Sequence, residues 1–190
     1  DTIDGFGSQA SLTLGPKGWL YGTNPLGGPK HHGTVFRVAP DGSAFELLAS
    51  LDGHLEGDQP DGQLLRASDD HFYGIARTGG QFDKGVVFRL GLDGSYAVLH
   101  HFSGGPHDGA YPDAGLVEGP DGALYGSTVE GGDAPASYGT IYRLTKRGKF
   151  SLLHRFGEAD PAGGTPVGNL VFGPDGRLYG TDQGYAANGA

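Results

Sequence analysis

The chain contains no cysteine and no methionine, and Trp19 is its one tryptophan among 190 residues. Without cysteine there is no disulfide framework, no thiol nucleophile and no thiolate metal site. Cations are also scarce. Thirteen Lys and Arg against 22 Asp and Glu give a formal net charge of −9, and the basic residues stand singly. Such a surface gives no electrostatic footprint for nucleic acid or for direct insertion into an anionic membrane. No apolar run approaches the roughly 18 residues of a membrane-spanning helix, and no secretory leader pattern is visible. No stretch sustains a 3.6-residue apolar period, so essentially no helix is expected. A sequence that opens at Asp1 and lacks methionine is expected to be a processed or partial polypeptide.

What the chain has in abundance is glycine, 38 residues, together with 12 prolines, and these recur at fixed register. Tyr-Gly pairs fall at Tyr21-Gly22, Tyr73-Gly74, Tyr125-Gly126 and Tyr179-Gly180, in steps of 52, 52 and 54 residues. Nine residues before each tyrosine stands Leu12, Leu64, Leu116 or Leu170. After it come a Gly-Gly pair and a strand-like pentad: GTVFR from Gly33, GVVFR from Gly85 and GTIYR from Gly139. A period of about 50 residues is the mark of a repeat architecture.

Each period predicts four short strands. In the third, Gly115–Glu118 is followed by a Gly-Pro-Asp-Gly turn at 119–122 and a second strand, Ala123–Ser127. Proline presets φ, Asp accepts the next position and Gly tolerates positive φ, so this is a hairpin signal. A Gly-Gly loop (129–138) leads to the third strand, Gly139–Thr145, and a tight turn to a fourth beginning at Phe150. A polar loop of about ten residues then ends in Pro60, Pro112 or Pro166 before the next period.

Four strands per period with alternating short and long connections describe one blade of a β-propeller. The expected architecture is therefore all-β: four-stranded antiparallel blades at 8–59, 60–111 and 112–165, and the first half of a fourth at 166–190. About four blades are the minimum for a closed ring, so the chain is expected to be part of a larger propeller. In an antiparallel meander the tight turns share one face and the long loops the other.

These residues resemble a known family. HHFSGGPHDGAYPDAGLVEGPDGALYGST (100–128) followed by GTIYRL (139–144) is similar to the glycine-rich GloVer-type tandem repeat. The resemblance covers nearly the whole chain. It departs at SLDGHLEGDQP in the first period and RFGEADPAGGTP in the third. It implies a propeller-like fold and an exported bacterial protein (periplasmic, secreted or at the cell surface), and it carries no established chemistry.

Residues copied in every period have a packing reason, because each repeat must hide its apolar face against its neighbours. The anchors Leu12, Tyr21, Leu64, Tyr73, Leu116, Tyr125, Leu170 and Tyr179 are accordingly expected between blades. Mid-strand Arg37, Arg89 and Arg143 are expected to be stacked, or paired with loop carboxylates. Trp19 takes the position of His71, Ala123 and Arg177, either packed beneath a loop or exposed to stack on a sugar.

Recognition is expected where the periods differ, in the long loops of a rigid scaffold. The candidates there are His31, His32, Asp52, His54, Asp58, His107, Asp108, Tyr111, Asp113, Tyr138 and Asp160. Their histidines show no HxH or HExxH spacing. The clustered carboxylates, with Glu56 and Glu158, suit calcium by type but lack the EF-hand pattern. No cofactor is otherwise expected. No GxSxG elbow or GxxxxGK[ST] loop occurs. The sequence reads best as a non-catalytic binding or scaffold module for a protein partner in a surface or envelope assembly, with polysaccharide as a further ligand class. The alternatives are a carbohydrate-active hydrolase or lyase with its site at the propeller axis, and a purely architectural array.

Overall fold

The computed structural model describes residues 3–132, 138–157 and 164–183. Apart from a three-residue 3-10 turn at Pro16–Gly18, the regular elements among these residues are all strands. The first sheet comprises β1 (Thr13–Leu14), β2 (Leu20–Asn24), β3 (Thr34–Val38) and β4 (Phe45–Ser50), paired in that order and antiparallel throughout. The second comprises β5 (Asp58–Arg66), β6 (Phe72–Thr78), β7 (Val86–Leu90) and β8 (Tyr96–His101). The third contains β9 (Gly109–Pro112), β10 (Val117–Glu118), β11 (Leu124–Gly131), β12 (Thr140–Leu144) and β13 (Phe150–Arg155). In the fourth sheet β14 (Thr165–Phe172) pairs with β15 (Leu178–Gln183). The architecture is an array of propeller blades.

The register repeats with the sequence. Tyr21, Tyr73 and Tyr125 lie opposite Arg37, Arg89 and Arg143, and Gly22, Gly74 and Gly126 lie opposite Phe36, Phe88 and Tyr142. Each of these glycines lies under an aromatic ring and a leucine. A Cβ at Gly74 would stand 2.5 Å from Phe88 Cζ and 2.8 Å from Leu64 Cδ2. The repeated Leu, Gly and aromatic are thus one packing unit, in which the absent side chain is what lets the ring lie flat on the neighbouring strand.

Two apolar cores lie between successive blades. Tyr21, Val35, Leu51, Leu64, Phe72, Val86, Phe88 and Leu90 form one, with Tyr21 stacked on Phe72 at 4.1 Å between centroids. Tyr73, Ile75, Val87, Phe102, Leu116, Leu124, Tyr142 and Leu144 form the other. Tyr125 is half-buried and meets Phe172 edge to face. Two anchors depart from the expected burial: Leu12 and Tyr179 are 41% and 49% exposed. They belong to the first and fourth sheets, each of which has one flanking sheet among the described residues, so one side of each anchor is uncovered.

The innermost strand is longer than the sequence suggests. It starts upstream of the prolines that were expected to close a polar loop: Pro60 lies within β5, Pro112 ends β9 and Pro166 lies within β14. A register irregularity between Asp61 and Leu65, repeated between Val167 and Val171, conceals this in the sequence. Asp58 and Tyr111 are consequently strand residues and not loop residues. The prolines face the glycine that opens each third strand. Gly85 has φ +94°, and a Cβ there would stand 2.6 Å from Pro112 Cδ; Gly33 meets Pro60 and Gly139 meets Pro166 in the same way.

Candidate binding face

The long connections converge on one face. The amide of Gly80, in the β6–β7 loop, donates to the carbonyl of His54, in the loop from β4 to β5. Asp52 organises the latter loop: its Oδ1 accepts from the His54 and Glu56 amides at 2.9 Å each. Burial alone would raise the Asp52 pKa, but these amide donors hold it below the usual carboxylate value. Glu56 pairs with Lys30 at 2.6 Å.

Four of the predicted binding residues, His32, Asp58, Tyr111 and Asp113, join one blade to the next. His32 Nδ1 lies 3.3 Å from Asp58 Oδ1, and Asp113 forms an ion pair with Arg77. The Tyr111 hydroxyl lies 2.6 Å from Lys84 Nζ, a contact that raises the Lys84 pKa. Beneath these pairs runs a repeated backbone link. The Gln59 amide donates to the His32 carbonyl at 3.3 Å, and the Tyr111 amide to the Lys84 carbonyl at 2.8 Å. Gln59 and Tyr111 adopt the same left-handed conformation, with φ of 54° and 55°. Residues 32 and 84, like 59 and 111, are one period of 52 apart, so the alignment of periods contained this signal, although neither Gln59 nor Lys84 stood out by residue type.

Asp108 is likewise structural. It accepts from His100 Nε2 at 3.0 Å, from the Ser103 amide and hydroxyl at 2.9 Å, and from the Gly109 amide at 2.8 Å. Burial opposes its ionisation, yet these donors, His100 foremost, hold its pKa down. His100 stacks on Phe150 at 4.1 Å. His107 Nδ1 lies 2.8 Å from Arg155 Nη2, and Tyr138 is half-buried. His31 is exposed with φ +67°, and His54 lies in the exposed loop that Asp52 organises. Asp160 and Glu158 lie outside the described residues. Among the described residues no three His, Asp or Glu side chains gather as a metal site.

The large side chains that these loops leave exposed are apolar. Leu26, Leu55 and Phe82, in three successive long loops, are 44%, 54% and 49% exposed, and Leu26 is bridged to Phe6. Ile3, Phe6, Leu26, Pro29 and His31 line a hollow of about 360 Å³ at the edge of the same face. The variability of the loops marks these positions, but an isolated Leu or Phe in a glycine-rich loop gives no periodic signal.

The opposite, tight-turn face is ionic. Asp121 accepts from Arg143 Nε and Nη2 at 2.8 and 2.6 Å and from the Tyr125 hydroxyl at 3.2 Å. Arg37 pairs with Glu46 and stacks on Trp19 at 4.7 Å, so Trp19 is covered. Lys146 bridges two blades, reaching Glu118 at 2.6 Å and Asp69 at 3.5 Å. Along the axial side, Thr13, Gln63, Leu65, Arg66, Val117 and Asn169 contribute to a groove of about 310 Å³. The amide oxygen of Asn169 accepts from the Gly115 backbone at 2.8 Å. No helix of the described residues is long and apolar enough to cross a membrane.

Solved propeller structures share this arrangement. A chain of a nidogen–laminin complex is 18% identical with a TM-score of 0.58 over 91% of this chain and 56% of its own. A protein assigned as a gluconolactonase is 20% identical with a TM-score of 0.56, over 90% of this chain and 56% of its own. A gluconolactonase from Xanthomonas campestris is 21% identical with a TM-score of 0.55, over 90% of this chain and 52% of its own. The chain therefore spans about half the length of these structures, and at such identities the likeness shows the fold. No curated protein matches it. The profile of the Gloeobacter/Verrucomicrobia repeat matches residues 1–190.

Proposed function

The chain belongs to the Gloeobacter/Verrucomicrobia repeat family, and on that premise we propose that it is a non-catalytic binding module, exported by a bacterium, that docks a protein partner of a surface or envelope assembly through its long-loop face. The observation that carries this reading is that three successive long loops each leave a large apolar side chain half-exposed, Leu26, Leu55 and Phe82. Apolar side chains left exposed by the loops of a rigid scaffold are suited to anchor a protein contact. Around them the charged candidates are already engaged: Asp52 by backbone amides, Asp58 by His32, Asp113 by Arg77. They form a polar rim and hold the blades in register, and the apolar tips supply the contact.

A photo-crosslinking residue placed at position 55 or 82 is expected to trap one envelope protein, whereas the same residue at 41 or 147, on the tight-turn face, traps none. With the crosslinker at position 55, a Leu26→Ser, Phe82→Ser variant is expected to lose the adduct while its melting temperature stays within about 2 °C, because exposed apolar side chains add little to folding. Equal trapping from both faces would refute the assignment of the face.

The competing reading, a carbohydrate-active propeller with its site at the axis, draws on the likeness to gluconolactonases. Its candidate groups are the hydroxyl of Thr13, the amides of Gln63 and Asn169, and the guanidinium of Arg66. Hydrolysis of an aldonolactone that disappears in Gln63→Ala would favour that reading over the binding module.

A further inference from the structure

The sequence contains eight Asp-Gly pairs. In such a pair the glycine amide approaches the preceding carboxyl freely, because glycine has no Cβ to obstruct it. What separates the eight is where the fold turns that amide. In the tight turns the amides of Gly42, Gly94, Gly122 and Gly176 donate to the carbonyls of Ala39, Gly91, Gly119 and Gly173 at 2.9 or 3.0 Å. The carboxylates beside them accept instead from the amide two residues on, as Asp41 does from Ser43 and Asp93 from Ser95, at 3.0 Å each. The Gly53 amide is likewise taken, by the Gly57 carbonyl at 3.0 Å. At Asp4-Gly5 the Asp4 carbonyl accepts from Asn24 Nδ2 and Thr34 Oγ1 at 2.9 Å each, and the Gly5 amide makes no bond to the Asp4 carboxylate.

Two pairs differ. The amides of Gly62 and Gly109 each donate to Oδ1 of the aspartate directly before them, at 2.8 Å. Asp108 is clamped by His100 and by the Ser103 amide and hydroxyl, which fix its carboxylate and keep it ionised. Asp61 has no such clamp: among the described residues the Gly62 amide is the one donor its carboxylate accepts from. Both Asp61 and Gly62 are half-buried, within reach of water. Gly62 has φ +77° and lies in the irregular stretch of β5, where residues 62–64 stand opposite the single residue Gly74. A strand that already carries extra residues at a bulge has slack for a local change of backbone path.

We propose that Asp61-Gly62 is a site of covalent self-modification, at which the folded chain converts Asp61 to isoaspartate through a succinimide. The Gly62 nitrogen bonds to Cγ of the Asp61 carboxylic acid, and its proton leaves with one carboxyl oxygen as water. Water then adds to the resulting five-membered ring. Addition at Cγ restores Asp61, and addition at the Asp61 backbone carbonyl breaks its bond to nitrogen, leaving an α-carboxylate and a main chain that runs through Cβ and Cγ. No oxidant or other reagent enters. Holding the nitrogen against its own carboxyl supplies the proximity that the other turns deny. The product has one more atom in the backbone of β5, where Gly62 packs on Gly115 of the third sheet and the Gly115 amide donates to Asn169 of the fourth. The modification thus reaches the contact of three blades, and it stands or falls independently of the proposed binding face.

The test ages the 190-residue chain at neutral pH, folded and in parallel in concentrated urea, and locates isoaspartate by electron-transfer fragmentation of its peptides. In the folded chain isoaspartate at position 61 should exceed that at 41, 93, 121 and 175 by roughly tenfold or more, the scale on which misplacing a reacting atom acts. In urea the sites should become comparable. Asp61→Glu, whose longer side chain disfavours the five-membered ring, should abolish the product at 61. Asp61→Asn should lose ammonia by the same ring and acquire the mass of the Asp form, a signal that appears rather than disappears. Equal isoaspartate across the Asp-Gly pairs of the folded chain, or slower conversion at 61 in the folded chain than in urea, would overturn the proposal.

Discussion

Tyr142 gives a prediction that runs against the usual cost of altering a core residue. Its ring fills the seat that Phe36 and Phe88 fill in the other sheets, and it is fully buried. Its hydroxyl lies over Gly126 and has no hydrogen-bond partner among the described residues. Burial drives the phenol's pKa far upward, so it stays protonated and carries an unmet donor. Leaving such a group unsatisfied costs about 1–3 kcal/mol. Replacement by Phe removes that penalty and leaves a void of about 15 Å³, which at about 24 cal/mol per Å³ costs about 0.4 kcal/mol. Tyr142→Phe should thus stabilise the chain by about 0.6–2.6 kcal/mol. For a domain of this size each kcal/mol moves the melting temperature by roughly 2–4 °C, so a rise of about 1–10 °C is expected. Circular dichroism melts of the two proteins at pH 7, with urea titrations as a second measure, decide the matter. A melting temperature lowered by more than about 2 °C would show that the hydroxyl is satisfied and that the reasoning about this seat is wrong.

Gly85→Ala places a Cβ against Pro112 Cδ and the Ala76 carbonyl at φ +94°, and should cost about 1–3 kcal/mol in urea unfolding; an unchanged midpoint would remove the Gly–Pro clamp from the account of blade contact. Phe72→Ala deletes the ring stacked on Tyr21 in a fully buried core and should cost about 3–5 kcal/mol, enough to broaden or abolish a cooperative melt. Burial opposes ionisation of Asp69 and Glu118, yet hydrogen bonds and Lys146 hold both pKa values below the ordinary 3.8 and 4.5. As pH falls the unfolded chain therefore takes up protons first, and the stability these groups contribute is complete above those values and lost as pH drops through the folded ones. The melting temperature should fall between about pH 5 and 3, and Lys146→Met should flatten that fall; an equal slope would exclude the bridge as its cause.

The repeat, the order of strands within a blade and most of the core were legible from the residues alone. A 52-residue step that places Leu, Tyr-Gly and an aromatic pentad in fixed register leaves one economical way to bury them, sheet against sheet. The tight turns were legible for the same reason, since Pro, Asp and Gly act locally on φ. Relations between blades emerge only once the sheets are packed together. Asp58, Tyr111 and Asp113 have the composition of a binding surface, but they meet His32, Lys84 and Arg77 from the neighbouring blade, and a pairing between residues so far apart in the chain leaves no local mark. Pro60 and Pro112 read as the ends of loops until Gly33 and Gly85 are seen against them. Likewise Leu12 and Tyr179 share the sequence context of Leu64 and Tyr73, yet are exposed, because burial belongs to the interface between two sheets and not to the residue that occupies it.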